Sequence, residues 1–380
     1  MSAEPDAAEA FEVLIAGGGV AGLEAALALR DLAGERVALR LLAPNSEFVY
    51  RPMAVQEPFG FARARRYPVQ EIAADVGAEL IADGLDRVDA PNRTAHTRDG
   101  ASLRYDALVL GLGAEVRGSY EHATTIDDSR LDELLHGLIQ DVEGGYTKRL
   151  AFVVPARMAW PLPVYELALM TAARAYDANT EVAIAIITPE DAPLALFGAG
   201  AGEALAGLLA KRGIEVITSS YSEVPRSGLV EISPGNRSRN FDRVVALPEL
   251  LGPAVPGLPD APDGFVPIDA HCQVRGVERV YAAGDATDFA IKFGGIAAQQ
   301  ADAAAEAIAA LAGASVEPRP FRPTIRGVLL TGGRPRYLSA EITGGQGFSS
   351  ELSEEPAGPS RAKIAAKYLA PYLDRRDRGS

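Results

Sequence analysis

The sequence predicts an α/β fold in which parallel sheets are assembled from strand–turn–helix units of the Rossmann type. Three observations predict it. An apolar strand beginning at Phe11 runs into a glycine-rich turn and a helix, and a second apolar strand beginning near Ala151 is again followed by a turn and a helix. A third apolar segment ends in Gly284 and Asp285. Strands that alternate with helices favour parallel sheets, because a parallel connection needs a crossover, usually a helix.

The first turn has the spacing of a dinucleotide-binding site. Gly17, Gly19 and Gly22 match G-x-G-x-x-G. The first glycine permits a tight turn, the second lets the backbone approach a pyrophosphate, and the third lets the helix pack on the strand. The helix that follows presents free N–H groups and a positive dipole end to phosphates. The residues predicted to bind cofactor here are Gly17, Gly18, Gly19, Val20, Ala21 and Gly22.

Two later apolar strands end at positions suited to the same cofactor. The stretch ALVLGLGAEV ends in glycines, among them Gly113, where the chain can pass close to a bound molecule. In VYAAGDAT, the carboxylate of Asp285 beside Gly284 can accept hydrogen bonds from the ribitol hydroxyls of a flavin dinucleotide. The next helix opens at Gly294 and Gly295, and its N-terminal dipole can stabilise negative charge on a reduced isoalloxazine. Gly295 and Ile296 are the residues predicted to bind cofactor there.

Composition excludes several classes of partner and site. Asp plus Glu number 51 against 37 Lys plus Arg, and the net charge of −14 repels nucleic acid and, on average, an anionic membrane surface. The first ten residues lack a signal peptide's basic start and apolar core, and no apolar run reaches the roughly 18 to 20 residues that span a bilayer. The four histidines and single cysteine show no metal-ligand spacing. We therefore expect a cytoplasmic protein with no metal site and no nucleic-acid partner.

Together these motifs resemble the two-dinucleotide-domain flavoproteins, within them the branch of sulfide:quinone oxidoreductases, flavocytochrome c sulfide dehydrogenases and type II NADH dehydrogenases. The glycine turn, YDALVLGLGA and VYAAGDAT carry the FAD half, and IKFGGIAAQQ is similar to the family's flavin-facing helix start. The resemblance implies FAD as cofactor and two Rossmann-like three-layer domains plus a C-terminal interface region. It assigns residues 1–118 and 263–315 to the FAD-binding domain, 119–262 to an inserted degenerate NAD(P)-type domain, and 316–380 to the interface region.

The resemblance also implies roles for two cationic residues. Lys292 stands where sulfide-oxidising members carry a Pro-Lys pair, near the flavin pyrimidine edge or an acceptor carbonyl, where a cation stabilises reduced flavin or a developing quinol anion. Its alternative is a solvated loop lysine. Arg51 belongs to the stretch that runs along the flavin after strand two and is predicted to contact cofactor phosphate or substrate. Its alternative is a structural ion pair.

The end of strand two departs from the family pattern. Ala43 and Pro44 stand where an Asp or Glu should hydrogen-bond the adenosine ribose. Asn45, Ser46 or Glu47 in the next turn are the candidates to replace it. The missing acid removes about one charged hydrogen bond, on the order of 1.5 to 3 kcal/mol, so FAD stays the expected cofactor.

The second turn departs further, because it has no glycine between Val154 and Glu166. NADH-using relatives carry a second G-x-G-x-x-G there; in this chain, side chains block a pyrophosphate and prolines remove N–H donors. Sulfide-oxidising relatives place a redox cysteine in this loop, where Ala159 and Trp160 stand here. The only cysteine, Cys272, is expected in a surface turn or strand edge, so two-cysteine sulfide chemistry cannot run. Trp160 is predicted to stack over the isoalloxazine or line a substrate slot, or else to anchor the loop in the core.

The C-terminal segment predicts a contact surface. A basic amphipathic helix favours a membrane surface, and the alternative is docking on the chain's own core or on the second subunit of a homodimer. Pro371 is expected to interrupt the helix. The apolar residues near one helical side are Ile364, Tyr368, Leu369, Tyr372 and Leu373.

The sequence therefore predicts an FAD-dependent oxidoreductase, a quinone reductase peripheral to the inner face of the cell membrane. Electrons would enter from an unidentified donor on the Trp160 side and leave to quinone or another small-molecule acceptor near Lys292 and the helix of Gln299 and Gln300. Two alternatives stay open. One is a soluble NAD(P)H-dependent flavin reductase with a non-standard nicotinamide site, and the other is a catalytically idle flavin-binding partner or sensor protein.

Overall fold

The computed structural model describes residues 10–343, 347–355 and 363–379. The predicted absence of a signal peptide concerns residues 1–9 and lies outside these ranges. Within them, none of the helices combines the length and hydropathy that a bilayer crossing requires. The helices are α1 (Val20–Ala33), α2 (Val69–Asp75), α3 (Leu131–Glu143), α4 (Leu162–Asp177), α5 (Ala199–Lys211), α6 (Gly294–Leu311) and α7 (Leu369–Gly379). The strands are β1 (Phe11–Ala16), β2 (Val37–Leu42), β3 (Glu47–Val49), β4 (Arg66–Pro68), β5 (Ala78–Ile81), β6 (Leu85–Asp89), β7 (Thr94–Thr97), β8 (Ser102–Arg104), β9 (Ala107–Leu110), β10 (Glu115–Arg117), β11 (Thr124–Thr125), β12 (Arg149–Val153), β13 (Ala183–Ile187), β14 (Glu215–Ile217), β15 (Tyr221–Arg226), β16 (Leu229–Ser233), β17 (Arg237–Asn240), β18 (Arg243–Ala246), β19 (Glu249–Leu251), β20 (Val280–Ala282), β21 (Thr324–Leu329), β22 (Arg336–Thr343) and β23 (Gly347–Ser353).

The first sheet is parallel throughout and has the order β20-β9-β1-β2-β5. Its central strand, β1, is a short apolar run buried on both faces, as parallel strands between helices usually are. Ile15 of β1 lies opposite Leu41 of β2 and Val109 of β9. Helices α1 and α6 pack against each other beside this sheet. The strands' carboxyl ends therefore meet at one edge, where the glycine turn opens.

The second sheet is also parallel, with the order β11-β18-β12-β13-β14. Helix α4 connects β12 to β13, and α5 connects β13 to β14. The core of this unit contains Phe152, Tyr165, Ile186 and Phe197, which are all at most 1 % exposed. Two such units confirm the α/β fold class that the sequence predicts.

The chain leaves the first sheet after β9 and returns to it at β20. The two crossings pair with each other, since β10 and β19 form an antiparallel ribbon. The sheet β21–β22–β23 follows, also antiparallel, and α7 ends the described chain. The boundaries predicted at residues 118 and 262 fall after the two crossing strands and stay predictions.

The C-terminal segment docks on the chain itself, which was the alternative to membrane contact. Ile364, Leu369, Tyr372 and Leu373 are at most 8 % exposed, and the last three belong to the core of the first sheet. The apolar face that favoured a membrane is therefore covered. Helix α7 begins at Leu369, so the prediction that Pro371 interrupts the helix is wrong: a first-turn N–H has no helical partner, and proline is tolerated there.

Candidate functional site

A cavity of about 1010 Å³ lies at the carboxyl ends of the first sheet's strands and extends to the second domain. This is the edge where open α/β sheets bind their ligands. The volume is at the upper end of small-molecule sites. Stretches that line it are residues 17–21 after β1, 44–49 after β2, 111–114 after β9, 283–285 after β20, 292–294 at α6, and 159–160 and 162–163 around the second turn.

Close packing requires two of the three motif glycines. Gly17 has φ +121°, and a Cβ there would lie 2.1 Å from the Gly111 carbonyl oxygen. A Cβ on Gly22 would lie 1.8 Å from the Gly17 carbonyl oxygen. Both distances are far below contact, so β1, β9 and α1 approach this closely only because these positions lack side chains. Gly22 accordingly packs inside the fold and is not among the cavity-lining residues.

The middle motif glycine has the opposite environment. A Cβ on Gly19 would meet nothing within 4 Å, and Gly19 is the N-cap of α1. Gly113, with φ +75°, also has open space around it, and both residues line the cavity. Gly18, Val20 and Ala21 line it too. The α1 N-terminus thus faces a space large enough for a ligand, with the positive end of its dipole.

The turn after β20 is held by buried hydrogen bonds. The backbone N–H of Gly284 donates to Oε1 of Gln300 at 2.7 Å, and Thr287 Oγ1 donates to the Gly284 carbonyl at 2.9 Å. Gln300 is fully buried, so it anchors this turn and does not reach an acceptor. Gln299 likewise bonds the backbone of Gly295 and Thr324. Both glutamine side chains are thus engaged in internal hydrogen bonds, and the acceptor predicted near this helix stays a prediction.

Asp285 lines the cavity within this turn. Burial raises the pKa of its carboxyl, and the positive charges of Lys292 and Arg51 counter that rise by attraction. The carboxylate therefore lies next to a cavity, partly withdrawn from water, in a position to accept hydrogen bonds.

Lys292 is buried, not a solvated loop lysine, and also lines the cavity. Its Nζ donates to the carbonyl of Thr287 and lies 4.1 Å from the ring centroid of Phe265, within cation–π range. Burial lowers its pKa from 10.5 to about 8, against the opposing attraction of Asp285 and Asp288.

Trp160 joins the second turn to the start of α6. Its ring stacks on Phe293, with centroids 4.2 Å apart and planes at 17°, and it meets Phe197 at 5.7 Å with a tilt of 59°. The backbone N–H of Lys292 donates to Ala159 at 3.3 Å, which closes the same contact. Trp160 lines the cavity and also packs on the second core, so it both anchors the loop and forms a cavity wall.

Arg51 forms the ion pair that was the alternative for this residue. Its Nη1 lies 3.1 Å from Oδ1 of Asp128, and both side chains are about half exposed. Both residues line the cavity, so a bond between the two domains borders it.

Besides Gly22, two further predicted residues do not reach the cavity wall. Gly295 and Ile296 are buried within the first turn of α6, and the N–H of Ile296 donates to Phe293 at 3.0 Å. Gly294 and Ala297 line the cavity instead. Gly295 packs against Phe293 instead, since the Phe293 ring lies 2.6 Å from where a Cβ on Gly295 would stand.

At the end of strand two, the position of the ribose-binding acid is occupied by a buried alanine. Ala43 is 2 % exposed and its N–H donates to Ile81 at 3.0 Å. Asn45, Ser46 and Glu47 all line the cavity. These three candidates for replacing the ribose acid thus lie where the sequence predicts them, and their role stays a prediction.

The second strand–turn–helix is filled by its own side chains. Pro161 caps α4, and Tyr165 in the first turns of that helix is fully buried. Its hydroxyl donates to Oε2 of Glu190 at 2.5 Å, and Thr188 Oγ1 donates to the same oxygen at 3.0 Å. Glu190 follows β13, the second strand of this unit, where a dinucleotide fold carries its ribose-binding acid. Here the acid is 5 % exposed, and burial raises its pKa.

Sequence reasoning missed a buried ion pair in the cavity wall. Lys363 Nζ lies 2.8 Å from the Glu166 carboxylate and donates to Pro52 O at 2.8 Å. The side chains are 6 % and 1 % exposed. A lone acid among the apolar residues that begin α4 was a signal for Glu166. Nothing local indicated Lys363, which is 197 residues away.

Cys272 does not lie where the sequence predicts it. Cys272 has a turn conformation, with φ +61°, but it is fully buried, so the surface position expected for it is wrong. Burial raises the pKa of its thiol, which keeps it protonated and unreactive. In the described ranges, no three His, Cys, Asp or Glu side chains group so as to hold a metal ion.

Similarity to solved structures is confined to the fold. No protein-family model matches the sequence, and no curated protein sequence matches it. A sulfide:quinone oxidoreductase from Aquifex aeolicus superposes with a TM-score of 0.81 over 97 % of this chain and 90 % of that one, at 18 % identity. A ferredoxin reductase from Rhodopseudomonas palustris gives 0.68 over 91 % and 89 %, at 19 % identity. An NAD-dependent persulfide reductase from A. fulgidus gives 0.63 over 88 % and 65 %, at 18 % identity. The resemblance drawn from the motifs is confirmed for the fold: this chain is folded like the two-dinucleotide-domain oxidoreductases.

Proposed function

We propose that the protein is an FAD-dependent oxidoreductase that passes electrons from a donor outside the chain to a quinone or another small-molecule acceptor. The observation that carries the proposal is the cavity at the α1 N-terminus, where Gly17 and Gly22 let the backbone pack closely and Gly19 leaves open space. The fold shared with oxidoreductases supports the same reading.

The cavity residues fit FAD in three places. Residues 17–21 would hold the pyrophosphate, because α1 offers N–H groups and a positive dipole end there. Asp285 would accept hydrogen bonds from the ribitol, from a turn that Gln300 holds in place. Lys292 would face the flavin end beside Gly294. The two stretches of the FAD-binding domain, residues 1–118 and 263–315, would supply these groups.

When bound, FAD supplies the electron-transfer chemistry, and the protein supplies orientation and charge. Lys292, with a pKa of about 8, can hold a proton at Nζ near neutral pH and release it slightly above. Its positive charge, held by Thr287 and Phe265, would stabilise negative charge that develops nearby. Arg51 and Asp128 would fix the distance between the two domains beside it.

The second turn, between β12 and α4, lacks the features that bind a nicotinamide dinucleotide in the usual mode. The second turn is filled by Trp160 and capped by Pro161, and the acid that a ribose would need is bonded inside the core to Tyr165. A cysteine-based donor pathway is also disfavoured, since the only thiol, Cys272, is fully buried.

The apolar part of the cavity wall supports a flat apolar substrate. Trp160 and Phe293 present stacked rings, and Pro163, Val328 and Ile364 also line the cavity. Apolar and aromatic walls with a few polar groups are typical of sites for small ring compounds, a class that includes quinones. Location in the cytoplasm at the inner membrane face, and assembly as a homodimer, remain predictions from the sequence.

The proposal is tested by the visible absorption spectrum of the purified protein, followed by two anaerobic mixing experiments. We expect flavin bands in protein as isolated or after incubation with FAD. NADH should leave the bands unchanged. Enzyme reduced with one equivalent of dithionite should regain them on addition of a short-chain quinone.

Two results would replace the proposal with its alternatives. Rapid bleaching by NADH would make the protein an NAD(P)H-dependent flavin reductase. A preparation that takes up no flavin would remove the redox function altogether, and flavin that no donor reduces would indicate an idle partner or sensor protein.

A further inference from the structure

The order of the first sheet separates the two ends of the cavity. It places β9 and β20 on one side of β1, and β2 and β5 on the other. In the FAD site proposed above, the pyrophosphate lies at residues 17–21 after β1 and the ribitol at Asp285 after β20. The adenosine end of FAD would therefore extend over the carboxyl ends of β2 and β5.

The turn after β5 is the neighbour of the turn that lacks the ribose-binding acid. Strands β2 and β5 pair in parallel, with Leu42 opposite Ile81, and the N–H of Ala43 donates to the Ile81 carbonyl at 3.0 Å. Paired strands lie about 4.8 Å apart. The residues that follow β5, among them Gly84 and Leu85, therefore reach the same edge of the sheet, and both line the cavity.

One carboxylate holds the turn after β5 against the turn between β7 and β8. Asp83 accepts the N–H of Gly84 at 2.6 Å and the N–H of Asp99 at 3.1 Å. The backbone N–H of Arg98 donates to the Gly84 carbonyl at 2.8 Å. A hydrogen bond from Thr97 and the attraction of Arg98 hold the pKa of the Asp83 carboxyl below its usual range. These contacts bring Arg98, from outside the parallel sheet, to the cavity wall.

Gly84 makes room for the side chain of Arg98. A Cβ on Gly84 would lie 2.8 Å from both Cδ and Nε of Arg98 and 3.1 Å from its Cζ. Three successive atoms at similar distances show that the arginine side chain runs across Gly84. Because these are the three atoms nearest to that Cβ, a side chain at this position would displace the guanidinium group.

The other charged side chains that line this end of the cavity have ionic partners among the described residues. Arg66 pairs with Glu47 at 3.2 Å, and Asp86 pairs with Arg87 at 3.5 Å. Within the same ranges, the guanidinium of Arg98 forms neither a hydrogen bond nor an ion pair. Its planar group is therefore available to a ligand in the cavity.

We propose, resting on the FAD site proposed above, that Arg98 stacks its guanidinium on the adenine of the cofactor and anchors the adenosine end in place of the acid missing at Ala43. A guanidinium is planar, delocalised and weakly hydrated, so it stacks on aromatic rings. Gly84 covers one part of the group, and the adenine would cover another. Stacking needs no side-chain acceptor at the end of β2, where Ala43 offers none.

Titration calorimetry on the full-length protein, freed of flavin, tests this with ADP, FAD and FMN. ADP carries the adenosine and the pyrophosphate, whereas FMN carries the flavin end and one phosphate without the adenine. Arg98→Ala should weaken the binding of ADP and FAD about 3- to 30-fold, the range of a cation–π contact. FMN should bind this variant like the original chain. Because Arg98 is exposed, its replacement should not impair folding.

Two further variants separate the position of the guanidinium from its charge. Gly84→Ala keeps the arginine but displaces its side chain, so it should weaken ADP binding as Arg98→Ala does. Arg98→Lys keeps the charge but not the planar group, so it should also bind ADP more weakly than the original chain. Arg104→Ala, at an exposed arginine of β8, is the matched control and should bind all three probes unchanged.

Equal ADP affinity in the original chain and in Arg98→Ala would overturn the proposal. So would an equal loss of FMN binding, which would indicate a general attraction of phosphate, or full ADP affinity in Gly84→Ala or Arg98→Lys. FAD binding that does not depend on Arg98 would leave the proposed oxidoreductase function standing. ADP binding that depends on Arg98, in a protein that takes up no flavin, would keep this inference and remove that function. A chain that binds none of the three probes would overturn both.

Discussion

The chain contains two strand–turn–helix units in the same topological position, and both border the cavity, the first through an open glycine turn and the second through side chains. After β1, the turn of residues 17–22 packs tightly through Gly17 and Gly22 and leaves Gly19 open. After β12, the turn of residues 154–161 carries side chains, and Tyr165 fills the space beside it. The comparison shows that strand order brings a helix start to the sheet edge, but side-chain size at a few turn positions decides whether a ligand fits there.

The largest expected effect is a loss of stability on substitution of Gly22, which packs inside the fold, compared with Gly19, which faces the cavity. Gly22→Ala places a Cβ 1.8 Å from a backbone oxygen, so we expect a loss of at least about 3 kcal/mol in the free energy of unfolding. Gly19→Ala meets nothing within 4 Å and should keep the melting temperature while weakening FAD binding. Chemical denaturation measures the free energy of unfolding, and flavin titration measures the affinity for FAD. Equal stability of both variants would contradict the packing argument.

Asp285→Ala tests the proposed contribution of the turn after β20 to FAD binding. Removing a charged hydrogen-bond acceptor should weaken FAD binding about 10- to 100-fold, equivalent to on the order of 1.5 to 3 kcal/mol. Glu278→Ala, an exposed acid just before β20, is the matched control and should bind FAD like the original chain. Equilibrium dialysis against FAD gives both constants. Unchanged affinity in Asp285→Ala would remove this residue from the cofactor site.

Lys292→Met tests the charge buried beside the cavity. Because burial lowers the pKa of Lys292 from 10.5 to about 8, the folded state binds fewer protons than the unfolded state between these values. The stability of the original chain should therefore rise with pH over that window by on the order of 2 kcal/mol relative to the variant. Urea unfolding at several alkaline pH values measures the difference. Parallel curves for the two proteins would show that Lys292 is not desolvated.

Tyr165→Phe addresses the filled turn of the second domain. Loss of the hydroxyl that donates to Glu190 should cost about 1 to 3 kcal/mol, because a buried carboxylate loses a partner. NADH should still not bind, since the turn residues remain. Tyr176→Phe, 83 % exposed, is the control and should be neutral. Tight NADH binding by the variant would show that Tyr165 alone closes the site.

The smallest expected effect is that of Cys272→Ala. The thiol is fully buried and its raised pKa keeps it protonated. The rate at which quinone reoxidises the reduced flavin should therefore be unchanged, with a stability loss of about 1 kcal/mol from the removed sulfur. A large fall in that rate would bring thiol chemistry back into the mechanism.

Local patterns predicted much of the site because its residues adjoin short sequence signals. The glycine turn and the turn at Gly284 and Asp285 lie at the cavity, as the motifs indicated. Gly295 and Ile296 do not, since a motif gives the start of a helix but not which residue of its first turn faces outward. Gln300 holds the turn after β20 through a buried hydrogen bond, a role that depends on how α6 is rotated against β20.

By itself, the sequence determined the parallel α/β architecture, the open glycine turn and the absence of a second one, because strand propensity, helix periodicity and side-chain size act over a few neighbouring residues. Only the tertiary structure decided where distant groups meet. It paired Lys363 with Glu166, bonded Glu24 to the backbone of Tyr368 and Leu369, and covered the apolar face of the C-terminal helix. These contacts join residues far apart in the chain, and their energies depend on burial, which no short segment specifies.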